Sequence, residues 1–213
     1  MRITKIQKTL LNNLIKSENL LEEIKENDLI EKRLIENLND ENIEIYDIKF
    51  ENVIFNNVDI LDSKIENCTF INVQFANCNF SNTSFESSYF IRCEFINCKI
   101  IGCSLIDARL YNVTIEESNA NYINLAMASI ENVLFKNTVL RNACFQENKL
   151  KNTYFEDVDL TQAQFFKTSL KNIDLSNAII EGITISIEDI KGATINQFQA
   201  IDLLYLIGVK INQ

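Results

Sequence analysis

Residues 41–100 of the chain read, in blocks of five, ENIEI YDIKF ENVIF NNVDI LDSKI ENCTF INVQF ANCNF SNTSF ESSYF IRCEF INCKI. The last residue of every block is large and apolar. The same position continues to Ile195, and thirty of its thirty-one occurrences from Ile45 onward are Ile, Leu or Phe. Ala120 is the exception. A period this regular indicates an internal repeat, which decides the fold before any other feature of the chain.

Two further positions of the five-residue unit repeat. The residue two places before the large one is Ala, Val, Ile, Cys, Ser or Thr in 28 of 30 units, with Asn148 and Glu188 as the exceptions. The residue two places after it is Asn in 14 units. Asn tolerates left-handed backbone angles and bonds its own main chain, as Gly does elsewhere. Asn therefore explains how a chain with 4 Gly and no Pro can turn so often.

A period of five is neither the 3.6 of a helix nor the 2 of a simple strand. Two inward residues separated by one outward residue describe a strand of about three residues, and the other two residues turn a corner. This pattern resembles that of the pentapeptide-repeat family from Ile43 to Ile195. The resemblance implies an all-β solenoid, a right-handed quadrilateral β-helix with four units per coil and about eight coils. Residues 20 apart then stack on one another.

The repeat divides the chain into three predicted segments. Residues 1–40 form an N-terminal cap of two or three short helices, with Ser17 and Asp28 as candidate N-caps. Residues 41–195 form the β-helix. Residues 196–213 form a C-terminal helix over 197–207, with Asn196 as N-cap and Gly208 as C-cap, followed by a tail. The block EESNA, which ends at Ala120, predicts a kink over residues 116–124.

The C-terminal run KGATINQFQA, with Gly208 nine residues after Gln199, is similar to the tail of Qnr-type quinolone-resistance proteins. That resemblance implies a tail-to-tail homodimer and an action on DNA gyrase or topoisomerase IV. The predicted dimer interface is Phe198, Ile201, Leu204 and Tyr205. Loops that project from the β-helix in several plasmid-borne Qnr proteins are absent here, which counts against drug protection.

The composition argues against ordinary enzyme chemistry. The chain has no His, which removes the commonest general base and the commonest neutral metal ligand. Cys68, Cys78, Cys93, Cys98 and Cys103 fall on the small inward position and read as core residues, while Cys144 falls on an outward position. We expect no catalytic residues, no cofactor and no metal. With no long apolar run or signal core, we expect a cytoplasmic protein that does not enter a membrane.

A formal charge of −10 disfavours direct binding to nucleic acid. When outward residues are sorted by the 20-residue coil, one face is basic and three are acidic. The basic face carries three acidic residues (Glu51, Glu131 and Asp189) and seven basic ones: Lys49, Arg92, Arg109, Lys149, Lys151, Lys171 and Lys191. The most acidic face, with Lys136 as its one cation, is the candidate partner-binding surface, and we name it the acidic face: Glu94, Glu116, Glu117, Glu156, Asp157 and Asp174. Two interpretations remain open. The protein imitates a DNA duplex at a type II topoisomerase, or it is a structural or interaction module with an unrelated partner, whose polar residues simply coat a solvated rod.

Overall fold

The computed structural model describes residues 11–209, which form a parallel β-solenoid of about 7 turns with few helices. The predicted fold class is confirmed. The strands are β1 (Ile15–Lys16), β2 (Leu29–Glu31), β3 (Arg33–Glu36), β4 (Asn39–Glu41), β5 (Glu44–Tyr46), β6 (Lys49–Asn56), β7 (Asp59–Leu61), β8 (Lys64–Glu66), β9 (Thr69–Ala76), β10 (Tyr89–Ile91), β11 (Glu94–Ile96), β12 (Arg109–Glu116), β13 (Ser129–Lys136) and β14 (Lys149–Glu156). The helices are α1 (Leu20–Glu26), α2 (Ile187–Ile190), α3 (Gln199–Asp202) and a 3-10 helix (Leu204–Ile207).

From β2 onward, each paired residue lies beside the residue twenty positions away, as the sequence predicts, whereas β1 pairs with β3 at an offset of eighteen residues. Phe50 lies beside Phe70, which lies beside Phe90 in the next coil. All the large inward residues from Ile45 to Phe145 are buried, and so is Ala120 among them. Burying one such side chain stabilises the fold by about 1.5–3 kcal/mol. The stacked coils therefore share one continuous core along the axis of the rod.

The corners are left-handed, as the Asn pattern predicts. Every one of the fourteen corner asparagines except Asn177 has φ between 48° and 65°. Their side chains also bond between coils, which the pattern did not predict. The amide of Asn72 donates to the oxygen of Asn52 at 3.0 Å, and Asn152 donates to Asn132 at 2.8 Å. These bonds connect successive corners and stabilise the stacking of coils.

The predicted helical cap over residues 1–40 is wrong for residues 29–40, which already belong to the β-helix. Ile30 pairs with Phe50 and Ile35 with Phe55, and both isoleucines are 2% exposed. Arg33 and Leu38 occupy the positions of this coil that are small in the later units, so the sequence of this coil does not show the repeat clearly. One helix, α1, precedes the coil, and residues 1–10 lie outside the described residues.

Helix α1 begins after Asn19, whose side chain accepts a hydrogen bond from the Glu22 N–H. Neither predicted N-cap has that role, since the Ser17 hydroxyl donates instead to the Glu23 carboxylate at 2.6 Å. Leu20 is 3% exposed and belongs to the core cluster. The helix therefore covers the first coil, which is the capping role that the sequence predicts for this segment.

The coil register passes through Ala120 without interruption. The main chain of Asn119 pairs in parallel with Lys99 in the coil before and with Val139 in the coil after. The Ala120 N–H donates to the Val139 carbonyl at 2.8 Å. Ile123 stands at the following small position and is fully buried, like Ala120. The interrupted strand pairing expected of a kink over 116–124 is therefore not found.

Candidate functional site

The coil register places the six carboxylates of the acidic face on one side of the rod, although no strand pairing joins β14, which carries Glu156, to the segment that carries Asp174. Glu94 lies beside Thr114 in the adjacent coil, and Glu116 lies beside Lys136, which in turn lies beside Glu156. Glu117 and Asp157 occupy left-handed corners at the edge of the same face. Asp174 forms an isolated parallel β-bridge with Thr194 in the last coil. The regular spacing of the coils therefore turns a scattered set of residues into an acidic stripe.

Lys136 divides this stripe. Its ammonium forms an ion pair with the Glu116 carboxylate at 2.5 Å. The hydrogen bond that Lys136 donates to Glu116, together with the negative charge of that carboxylate, raises the pKa of the Lys136 ammonium above its usual value. Glu116 therefore presents less negative charge to a partner than the sequence suggests.

Two other carboxylates of the acidic face accept hydrogen bonds. Gln74 donates its side-chain amide to Glu94 at 3.0 Å. The Ser176 N–H donates to Asp174 at 2.9 Å, and this bond lowers the pKa of the Asp174 carboxyl. Glu117, Glu156 and Asp157 are exposed. These three residues are the part of the stripe most available to a basic partner.

The C-terminal segment presents an apolar surface at the end of the rod. Phe198 is 72% exposed, Ile201 55% and Tyr205 47%, whereas Leu204 is half-buried. Three of the four residues of the predicted dimer interface thus face solvent. Ile207 and Val209 are also exposed there, and the helical spacing of the sequence had not singled them out.

The predicted helix over 197–207 is broken into α3 and the 3-10 helix. The Asn196 side chain accepts bonds from the N–H groups of Phe198 and Gln199, as expected of the predicted N-cap, but α3 itself begins three residues later, at Gln199. Gly208 has φ 73° and ends the segment as predicted. Gln199 donates to the carbonyls of Leu175 and Ala178, which anchors α3 to the last regular coil. The apolar surface is therefore held by the β-helix.

The five inward cysteines are buried, as predicted, and Cys144 is half-buried. Burial raises the pKa of the Cys93 and Cys103 thiols to about 12 and that of Cys68 to about 11. Such thiols stay protonated and unreactive at neutral pH. Within residues 11–209 there is no group of three or more side chains suited to hold a metal ion.

One exposed aromatic pair was not singled out by the sequence. The Arg109 guanidinium lies over the Tyr89 ring, 5.1 Å from its centroid, and Tyr111 stands on the next outward position of the same strand. Tyr89 and Tyr111 are 38% and 43% exposed. They lie on the basic face, and a search for outward aromatic residues by coil register would have found them.

The sequence of the chain matches two models of protein families. The model described as a pentapeptide repeat region matches residues 43–124, 68–141 and 88–165, and a second, pentapeptide repeats (8 copies), matches 149–182. The chain belongs to the pentapeptide-repeat family. The comparison with curated proteins gave no match. Of the helices in residues 11–209, none has the length and apolar character needed to cross a bilayer.

Solved structures of pentapeptide-repeat proteins are similar to this chain at low identity. QnrB1, a plasmid-mediated fluoroquinolone resistance protein, in a trypsin-treated form, is 18% identical over 84% of this chain and 100% of its own, with a TM-score of 0.40. HetL, involved in heterocyst differentiation regulation in the cyanobacterium Nostoc, is 13% identical over 86% of this chain and 98% of its own, with a TM-score of 0.46.

Proposed function

We propose that this pentapeptide-repeat protein acts by binding other proteins rather than by catalysis, and that its acidic face imitates a DNA duplex at a type II topoisomerase such as DNA gyrase or topoisomerase IV. The observation that carries the proposal is the acidic face itself, a stripe of six carboxylates and one lysine along one side of the rod. A surface that binds DNA is basic, and a negatively charged surface is complementary to it. The similarity of the C-terminal run to Qnr tails supports the same conclusion.

The proposal includes a homodimer joined at the C-terminal ends. Phe198, Ile201, Ile207 and Val209 expose apolar side chains within one twelve-residue segment that is anchored to the rod. Contiguous apolar surface of this kind is typical of an interaction site. A two-fold pairing there would place two acidic stripes on one longer rod. The six Cys suit a reducing cytoplasm, which is where such a partner acts.

A direct test adds the purified protein to gyrase and measures supercoiling of relaxed plasmid, with and without a quinolone. We expect inhibition of supercoiling or altered drug sensitivity at low salt, weakening as the salt concentration rises, because screening acts over about 8–10 Å near physiological ionic strength. A protein that neither binds gyrase at low salt nor changes its activity would contradict duplex imitation. Self-association is measured separately, and its result does not decide whether the protein acts on gyrase.

A second candidate function is an interaction module with an unrelated partner. The observation that favours it is the exposed pair Tyr89 and Tyr111 beside Arg109 on the basic face, since aromatic residues and Arg are enriched at binding hot spots. Capture from native lysate with the wild-type chain and with Tyr111→Asp distinguishes the two. A partner lost with Tyr111→Asp but kept on reversal of acidic-face charges supports the module. Capture of a topoisomerase that is unaffected by Tyr111→Asp supports the duplex mimic.

A further inference from the structure

The hydrogen-bond ladder between successive coils follows a constant rule. The N–H groups of the large inward residue and of the corner residue each donate to a carbonyl nineteen residues further on, as Ile60 does to Asn79 at 2.9 Å and Asn57 does to Ala76 at 2.9 Å. The N–H of the outward residue in mid-strand donates to a carbonyl twenty-one residues back, as Lys64 does to Ile43 at 2.9 Å. The rule makes it possible to find places where two neighbouring coils are not joined.

One such place lies between β14 and residues 169–176. Among the described residues, the bonds that the rule requires there are not formed on either side of the gap, and no bridge joins the two segments. The N–H groups concerned are those of Leu150, Asn152, Phe155 and Asp157 on β14 and its closing corner, and those of Ser169 and Asp174 opposite. β14 pairs with β13 on its other side. It therefore presents a free edge of main-chain donors and acceptors.

The same two coils remain joined on the other two faces of the rod. The Leu160 N–H donates to the Ile179 carbonyl at 2.8 Å, and Phe165 donates to Thr184 at 2.8 Å. Beyond the gap the ladder resumes, since Leu170 donates to Asp189 at 2.8 Å. The gap is thus a wedge between two coils that are held together along their far side.

The wedge encloses a cleft of about 530 Å³. This volume falls in the range of about 300–1,000 Å³ typical of ligand pockets. Leu150 is half-buried, whereas every other large inward residue from Ile45 to Ile185 is buried. The cleft therefore reaches the apolar core and leaves one leucine accessible from solvent.

Charge is distributed unevenly along the cleft. Lys151 and Lys171 line the end where β14 begins, and Glu156, Asp157 and Asp174 line the end where it finishes. The Lys151 ammonium already pairs with the Glu131 carboxylate at 2.6 Å, so Lys171 supplies most of the positive charge at that end. The amino end of a parallel strand in the cleft would lie near Lys171, and its carboxyl end would lie near the carboxylates. Its best complement carries acidic residues toward the lysines and basic residues toward the carboxylates.

We propose that this cleft binds an extended peptide segment of a partner protein, which adds as a strand parallel to β14. Unpaired main-chain groups on both walls specify an extended backbone, because only another strand can satisfy a row of such groups at once. The parallel direction follows from the solenoid, whose strand pairs in the described residues are all parallel. A small apolar side chain of the peptide would cover Leu150. The interaction does not require the duplex imitation proposed above, although Glu156, Asp157 and Asp174 belong both to the acidic face and to the lining of the cleft.

Amide exchange in the free protein tests whether the edge is open. We expect the amides of Leu150, Asn152, Phe155 and Asp157 to exchange much faster than those of Leu110, Asn112 and Ile115, which hold the same positions in β12, a strand that pairs on both sides. Protection at β14 equal to that at β12 would overturn the proposal, because the edge would then be closed. Protection that disappears on deletion of residues 210–213 would identify the chain's own tail as the occupant and overturn it equally.

A synthetic octapeptide tests the occupant, with two glutamates at its amino end, alternating valine and threonine in the middle, and two lysines at its carboxyl end. We expect saturable binding to the full chain by fluorescence anisotropy, together with slower exchange at the same four amides. The matched control has the glutamates and lysines exchanged and should bind roughly tenfold more weakly. Equal binding of the two, or no binding of either at millimolar concentration, would overturn the proposal.

Two changes separate main-chain pairing from simple charge attraction. N-methylation of alternate residues of the peptide removes the donors on one edge and should abolish binding if that edge pairs with β14, while methylation of the other edge probes the opposite wall. Lys171→Glu, an exposed change that leaves the core intact, should weaken the acidic-first peptide roughly tenfold and leave circular dichroism unchanged. Full binding by both methylated peptides would show that no strand is added and would overturn the proposal.

Discussion

The ring of Phe95 stacks on that of Phe75 with their centroids 4.5 Å apart and their planes inclined by 14°. Phe75 continues the same column to Phe55 at 5.1 Å. The separation matches the spacing of neighbouring strands, about 4.8 Å, because each ring belongs to one coil. Stability along the rod therefore depends on contacts between coils that are identical in kind from one coil to the next.

The first prediction concerns this column. Phe95→Ala should lower the free energy of unfolding by about 3–5 kcal/mol, since it removes a buried ring and leaves a cavity between two coils. Urea denaturation followed by circular dichroism measures the change. Lys99→Ala, an exposed outward change in the following strand, is the control and should cost less than about 0.5 kcal/mol. Similar costs for both would mean that Phe95 is not inside.

The second prediction concerns Asn148, the unusual residue at a small inward position. Its side-chain N–H groups donate to the carbonyls of Leu125 and Ala128, but its buried Oδ1 has no partner. Thr168, at the same position one coil later, donates its hydroxyl to the carbonyl twenty-three residues back, that of Phe145. Asn148→Thr should keep the bond to Leu125 and lose the orphan oxygen, so unfolding should require about 1–3 kcal/mol more.

The control for that prediction is Asn148→Val, which removes both the unpaired side-chain oxygen and the side-chain donor. It leaves the Leu125 carbonyl without this bond and should be less stable than Asn148→Thr. Thermal unfolding of the three proteins decides the order. A threonine variant less stable than the wild type would show that the asparagine amide contributes more than its unpaired oxygen costs.

The third prediction concerns self-association. Phe198→Asp combined with Ile201→Asp should convert a dimer into a monomer, because charged groups cannot be buried without partners. Light scattering at tens of micromolar measures the mass. Substitution is a cleaner test than removal of residues 197–213, since Gln199 and Tyr205 bond to the carbonyls of the preceding coil and their loss would uncover its end. A wild-type chain that is monomeric at this concentration contradicts the dimer.

The fourth prediction concerns the acidic face. Reversal of Glu116, Glu156 and Asp174 to Lys should abolish any effect on gyrase. A double variant with only Glu156→Lys and Asp174→Lys should show most of the loss, because Lys136 already neutralises the charge of Glu116. The matched control reverses Glu44, Glu66 and Glu86 on another face and should retain the effect. If both triples lose it equally, total charge is responsible and the acidic face is not a located site.

The fifth prediction concerns the thiols and pH. Folded Cys93 and Cys103 have a pKa of about 12, against an ordinary value of 9.0. Above pH 9 the unfolded chain loses protons that the folded chain keeps, so the free energy of unfolding should fall as the pH rises toward 12 and be unaffected by these thiols below pH 8. Replacing both cysteines with Ala should reduce the alkaline slope measured by urea titration. An unchanged slope would mean that these thiols do not cause it.

Much of the fold could be predicted because the pentad is a local signal. Phe70 and Asn72 reveal by type alone which residue points inward and which turns the corner. The first coil was not predicted because Arg33 and Leu38 stand where small residues are usual, so that residues 29–40 did not show the repeat and were assigned to a helical cap. The cleft beside β14 could not be found in this way, since Leu150 fits the repeat as well as any other leucine. Whether two coils are hydrogen-bonded is a property of the backbone between them, which no side-chain pattern records.

The twenty-residue coil also determines how this protein can change in length. Gain or loss of four pentads would leave every downstream residue on its own face and only lengthen or shorten the rod. Gain or loss of a single pentad would rotate everything downstream by a quarter turn. Inserted after Leu105, one pentad would carry Lys149 and Lys151 onto the side where Glu94 lies, and the stripe would cease to be acidic without the loss of a single carboxylate.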